Sequence, residues 1–278
     1  RPVYVTALVL IALVAGWLVL RGQLGGSTPS TLPAGHTGVD QVDQFDPAKP
    51  YANTPAAAWA DGADGIVLPA PAAVGAFSAR QVGTAETQVK QILVAEHLDN
   101  RMLVQHDAGN LLPLLAPNMQ THLRGKLSNP ANHDDSGVVS QLMPGFQLLP
   151  VPIKVDGSMS AQVSDKGELV VHTNYVFAFP FVPSDPSSIQ ASWQVVAVQH
   201  VQEEFDVVSG ANYVPADHGI WLGATQSYDS SIDCAASNQG YLAPAYANPP
   251  DFGGAGADDP NADYDPSHAM TIPDTCKS

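Results

Sequence analysis

The sequence predicts an α+β protein: amphipathic helices packed on an antiparallel sheet, with an N-terminal transmembrane helix before them and an irregular tail after them. Three observations predict it. Residues 3–20 are apolar and uncharged, residues 78–93 place apolar side chains at helical spacing, and residues 151–208 alternate with a period of two.

The first stretch, VYVTALVLIALVAGWLVL, is broken only by Thr6 and the interfacial residues Tyr4 and Trp17. A helix over it rises about 27 Å, close to the hydrocarbon thickness of a bilayer. A secretory signal is the alternative, but its apolar region is shorter and ends in a small-residue cleavage site, whereas RGQLGGSTP follows here. An uncleaved anchor is therefore expected at residues 1–21, with the lipid bilayer contacted through residues 3–20. The sequence opens on Arg1, so further residues are expected before it, and orientation is taken from the cysteines.

Residues 22–67 are rich in Pro, Gly, Ala and Asp and lack sustained periodicity, which predicts a linker. As a flexible chain its length would span roughly 35–40 Å, less if Phe45 and Trp59 dock on the domain. The α+β domain is expected over residues 68–212. Ser78 is the expected N-cap of a helix whose apolar face carries Val82, Ala85, Val89, Ile92 and Leu93, with Gly83 weakening the first turn. A second short helix is expected from Asp107 through AGNLLPLLAP, ended by Pro117, with NMQTHLRGKL adding a further turn or two.

Three strands follow. In VPIKVDGSMSAQV, the residues Ile153, Val155, Met159, Ala161 and Val163 share one face. SDKG (164–167) is the turn into ELVVHTNYVFAFPF, where Leu169, Val171, Thr173, Tyr175, Phe177 and Phe179 alternate with Val170, His172, Asn174, Val176 and Ala178. In the third, Trp193, Val195, Ala197, Val201, Phe205 and Val207 line one side. Long strands joined by short turns make an antiparallel sheet, and the helix before them can cover its apolar face.

From Tyr213 the patterning fades, and residues 213–278 are expected to form an irregular acidic wrap. The two cysteines of the chain, Cys234 and Cys276, lie here in turn-rich sequence. Asp233 and Asp274 beside them would raise a thiol pKa, and no Cys-x-x-Cys or Cys/His pattern supports zinc. One disulfide is expected, closing a loop of about 43 residues worth roughly 4 kcal/mol; two unpaired structural thiols remain the alternative. A disulfide places this part outside the cytosol and the N-terminus inside.

Charge narrows the partners. From Leu127 to Ser278 three basic residues stand against eighteen acidic ones, a net of −15. Such a surface repels phosphate backbones, so no nucleic-acid partner is expected. No phosphate loop, dinucleotide fingerprint, nucleophile elbow or zinc-protease motif occurs. His133, Asp134 and Asp135 read as a solvated turn. Asp259, Asn261, Asp263 and Asp265 resemble the start of a calcium loop, but Tyr264 stands at the glycine position and Met270 at that of the closing Glu. No catalytic residue, cofactor or metal ligand is assigned.

Helices followed by a sheet over residues 78–208 resemble the cone-shaped fold of ketosteroid isomerase and its non-enzymatic relatives. The resemblance implies a curved sheet around an interior pocket, with His172, Tyr175, Trp193 and His200 as candidate lining. An isomerase-type site needs an acid and a phenol converging in an apolar cavity. Tyr175 supplies the phenol, but Glu203, Glu204 and Asp206 fall beside polar positions, and core packing explains Tyr175 and Trp193 better. In single-span actinobacterial proteins, such as those associated with mammalian-cell entry and relatives of conjugation subunits, the cone serves as an assembly part more often than as an enzyme. The stretches VGAFSARQVG, LDNRMLVQHD, LLPLLAP, TNYVFAF, GIWLGATQSYDSSIDCAA and YDPSHAMTIPDTC are together similar to an uncharacterised family of actinobacterial, Streptomyces-type, membrane-anchored proteins. That resemblance implies architecture and location, not activity. The resulting expectation is a non-catalytic, single-pass membrane-tethered scaffold or recognition protein of the cell envelope, with an envelope protein as partner. The alternative is a small-molecule-binding or hydrolytic cone.

Overall fold

A computed structural model describes residues 45–127, 137–247, 261–271 and 276. The expected anchor, the linker up to residue 44 and the His133–Asp135 turn lie outside the described residues. Within them no helix is long and apolar enough to cross a membrane.

In chain order the elements are β1 (Ala60–Asp61), α1 (Ala79–His97), α2 (Asn100–Gln105), α3 (Pro117–Leu127), β2 (Lys154–Val163), β3 (Leu169–Pro180), β4 (Val196–Val208), β5 (Gly219–Ser230) and α4 (Cys234–Ser237), linked in places by short 3-10 turns. The five strands form one antiparallel sheet in sequential order.

Helix α1 begins as expected. Ser78 Oγ accepts from Gln81 N at 3.4 Å while Gln81 Oε1 accepts from Ser78 N at 3.0 Å, a reciprocal capping box. Its predicted stripe of Val82, Ala85, Val89, Ile92 and Leu93 is buried. The second helix differs from expectation: Asp99, not Asp107, caps it, accepting from Arg101 N at 3.0 Å. Asp107 instead accepts from Gly109 N at 2.8 Å and pairs with Arg101, and the chain then makes a 3-10 turn at Leu112–Leu114. Gly109 and Pro113 within that stretch disfavour a continuous helix.

The inward face of the sheet carries Val155, Met159, Val171, Tyr175, Phe177, Phe179, Ala197, Val201 and Phe205, all buried with α1, α2 and α3 residues in one core. Gly157 permits close packing there. Its φ is +149°, and a Cβ would stand 2.2 Å from Asn174 O and 2.6 Å from the Tyr175 ring.

Both ends of the domain carry more order than the patterning shows. Residues 45–67 dock on it, with Phe45 and Trp59 packed against it as the docked form of the linker required. Tyr51 is buried and its hydroxyl donates to Pro152 O at 2.6 Å, β1 pairs with β2, and Ile66 enters the main core. A few large apolar residues spaced too irregularly for a pattern suffice to dock this segment. The tail is also not irregular throughout, because β5 pairs along β4 from Val198↔Ser230 to Val208↔Gly219. A register shift between Glu203 and Phe205 breaks the phase of that pairing, so β5 has no uninterrupted alternation to read.

A second core lies on the other side of the sheet. Val176, Ala178, Val196 and Val198 pack there against Tyr51, Ala56, Ile189, Val195 and Tyr264. The tail thus covers the sheet: Tyr264 meets Trp59 edge-on at 5.7 Å, Asn174 Nδ2 donates to Pro266 O at 2.9 Å, and Tyr228 Oη lies 3.2 Å from His268 Nδ1. The Cys234–Cys276 disulfide secures the end of that tail, with Asp233 capping α4 beside it.

Candidate functional site

The four residues expected to line a pocket do not converge. Tyr175 faces the helices, and burial, reinforced by Asp156, pushes its phenol up to about 12. His200 lies on the opposite face, buried under the tail. Its Nε2 donates to Asn174 Oδ1 at 2.6 Å, and burial, with His268 nearby, lowers its pKa to about 4. His172 is on that same opposite face but in an open region, its Nδ1 3.3 Å from Glu204 Oε1 and its Nε2 against the Gln162 amide. Trp193 belongs to a 3-10 turn, Ser192–Gln194, before β4 and is 36% exposed, so it is neither a strand nor a core residue.

Two polar regions emerge instead. The first is the part of the outer sheet face that, among the described residues, the second core leaves open beside Asn174. Ser158, Ser160, His172, Asn174, Gln202, Glu204 and Gln226 line a cleft of about 350 Å³ there. Register explains it: Ser158↔Asn174↔Gln202↔Gln226 and Ser160↔His172↔Glu204 are rows of cross-strand neighbours on one face.

The second lies inside, between the last turn of α1 and β4. Glu96 and His97 are fully buried and Glu203 is 3% exposed. Glu96 and His97 follow Leu93 by three and four residues, which puts both on the apolar stripe of α1. Glu203 shares its strand face with Val201 and Phe205. The expectation that this acid falls beside polar positions is therefore corrected, and Thr173 stands opposite it on β3.

Hydrogen bonding fixes the ring orientation of His97. Ser140 Oγ donates its single proton to Gln199 Oε1 at 2.5 Å and lies 2.8 Å from His97 Nδ1. It must therefore accept from Nδ1–H. The other ring nitrogen, Nε2, then faces the two carboxyl groups, with Glu203 Oε2 3.6 Å away, beyond hydrogen-bonding distance. The imidazole packs on Phe177 with ring centroids 4.6 Å apart, and Gln199 also hydrogen-bonds the half-buried Asp229.

Glu96 Oε1 and Oε2, His97 Nε2 and Glu203 Oε2 are all buried without a hydrogen-bond partner among the described residues. One ligand atom from each residue lies within 4.8 Å of the others, close enough for the three to hold a metal ion. Burial raises the Glu96 pKa well above the carboxylate range, and the neighbouring Glu203 raises it further. Burial likewise raises Glu203, with His97 opposing.

The calcium-like tail residues do something else. Asp265 Oδ1 accepts from Ser267 N and Oγ, both at 2.8 Å, and Asp263 Oδ1 lies 3.8 Å from His268 Nδ1; Asp259 is outside the described residues. Comparison with protein-family models, curated proteins and solved structures finds no match to this chain.

Proposed function

We propose that this is a non-catalytic recognition or scaffold protein of the cell envelope, tethered through residues 3–20 with its α+β domain outside the cytosol, as a cone-like module of the actinobacterial type. The observation that carries the reading is the filling of the helix-facing side of the sheet. Tyr175, Phe177, Phe179 and Phe205 occupy, at no more than 1% exposure, the place where a catalytic cone would hold substrate. The polar ground open to a partner is outside, in the Ser158–Gln226 cleft. The disulfide supports the extracytoplasmic placement, since such bonds persist in oxidising compartments.

The test uses the full chain in its native membrane. A cysteine placed at the exposed position Ser187 is expected to react in intact cells with a membrane-impermeant maleimide. Labelling only after lysis rejects the topology. A photo-crosslinking residue at Gln226 is expected to give a discrete protein adduct that one at Gln91, on the helix side, does not. Equal yields from both positions reject the recognition surface.

A further inference from the structure

We propose that Glu96, His97 and Glu203 bind one divalent first-row transition-metal ion, Zn²⁺ foremost, which ties the C-terminal turn of α1 to β4. The inference starts from buried ligand atoms left unpartnered. His97 Nε2, both oxygens of Glu96 and Glu203 Oε2 lie close together, and none has a hydrogen-bond partner among the described residues. The Ser140–Gln199 relay holds His97 through Nδ1 and leaves Nε2 turned towards the two carboxyl groups. Buried polar atoms without partners are unfavourable, and one cation shared among them would satisfy all of them together.

The donor set fits such an ion. One imidazole nitrogen and two carboxylates form a borderline site of the kind zinc accepts, and the nitrogen argues against Mg²⁺ or Ca²⁺. A tetrahedral zinc with bonds near 2.1 Å holds its ligand atoms about 3.4 Å apart. His97 Nε2 and Glu203 Oε2 already stand at 3.6 Å, and the whole set lies within 4.8 Å, so small rotamer shifts close the site. The second oxygen of Glu96 is free to chelate and supply a fourth contact. Behind the ligands, His97 donates its other ring N–H to Ser140, which Gln199 and then Asp229 hold in turn, the arrangement that orients a metal-bound imidazole. Because the site is sealed, the ion enters as the chain folds, and its role is to link helix to sheet rather than to activate a substrate.

The rival occupant is a proton shared among the three side chains. To separate the two, the full chain is produced with its disulfide intact in media supplemented with Zn²⁺, Mn²⁺ or Co²⁺, and its metal content is measured after gel filtration. About one equivalent is expected in the wild type and less than a tenth of that in Glu96→Gln/Glu203→Gln. The Co²⁺ form should show ligand-field absorption that His97→Gln alters. Chelator should lower the melting temperature of the wild type by several degrees and leave that of the double variant unmoved. Folded wild-type protein that carries no ion from any of the three media overturns the proposal, as does a chelator-insensitive melting temperature. Should the double variant fail to fold, the wild-type stoichiometry and cobalt spectrum decide alone.

Discussion

Replacing both cysteines, Cys234→Ser with Cys276→Ser, should release the tail before it unfolds the domain. The bridge spans a sequence separation of 42. Closing such a loop removes chain entropy from the unfolded state worth about 4 kcal/mol, which sets the upper limit of the loss in global stability. Where that loss falls depends on what else holds the tail. Tyr264 is 4% exposed, and burying it contributes about 2 kcal/mol; the Asn174–Pro266 hydrogen bond contributes about 1. Ordering residues 261–271 costs at least about 1 kcal/mol each. The tail's own contacts therefore lose to its entropy, and without the clasp it should lift off the second core, exposing Trp59 and His200. Hydrogen–deuterium exchange of residues 261–271 and Trp fluorescence during urea unfolding read this directly. The expected result is lost protection at Tyr264, Asp265 and His268, which donate backbone hydrogen bonds in the disulfide-bonded protein, with the core strands still protected. Retained protection there, together with a stability loss under about 1 kcal/mol, would refute the reasoning.

Three further outcomes are expected. Gly157→Ala should destabilise by about 2 kcal/mol or more in urea titrations, since its methyl meets Asn174 O and the Tyr175 ring at a φ that favours glycine; a neutral result would show that β2 shifts freely. Ser78→Ala should lose about 1 kcal/mol by the same titration through the missing cap, and Ser78→Asp should retain most of it. Burial raises the Asp229 pKa from 3.8 to about 6, so the folded state holds the proton more tightly than the unfolded one. Its stabilising contribution is then complete below pH 3.8 and falls as pH rises through about 6, by up to about 3 kcal/mol. His200, with its pKa lowered, acts in the opposite sense, adding stability as pH rises from about 4 towards its ordinary value. The difference between wild type and Asp229→Asn, measured by urea unfolding from pH 4 to 7, isolates the carboxylate: the variant should gain relative stability with pH, and parallel curves would contradict the assignment.

Much of the architecture was readable from spacing. The α1 stripe, the Ser78 cap and the alternation along β2, β3 and β4 each depend on neighbours a few residues away, which is why period and cap chemistry reported them. The same periods carried a signal about the interior. Glu96 and His97 continue the 82-85-89-92-93 stripe, and Glu203 keeps the phase of Val201 and Phe205, so three ionisable residues sit in core phase. A charged residue in core phase marks a buried polar site, and reading Glu203 by its neighbours Gln202 and Glu204 rather than by parity concealed it.

Other features had no local trace. Segment 45–67 docks through isolated residues such as Tyr51 and Ile66, and β5 loses its alternation at the bulge opposite Glu203–Phe205. His172 and His200 share a strand face by parity, yet one is open and the other covered, because the covering comes from residues 261–271, far along the chain.

Residue order was enough to establish the α+β class, the acidity and the phase of the side chains along α1, β2 and β3, because these are matters of composition and short-range geometry. Which phases meet was settled by folding: the last turn of α1 against β4, Ser140 between His97 and Gln199, and the tail over part of the outer face. Those encounters depend on long-range register and on which surfaces cover each other, and no period in a linear chain encodes them.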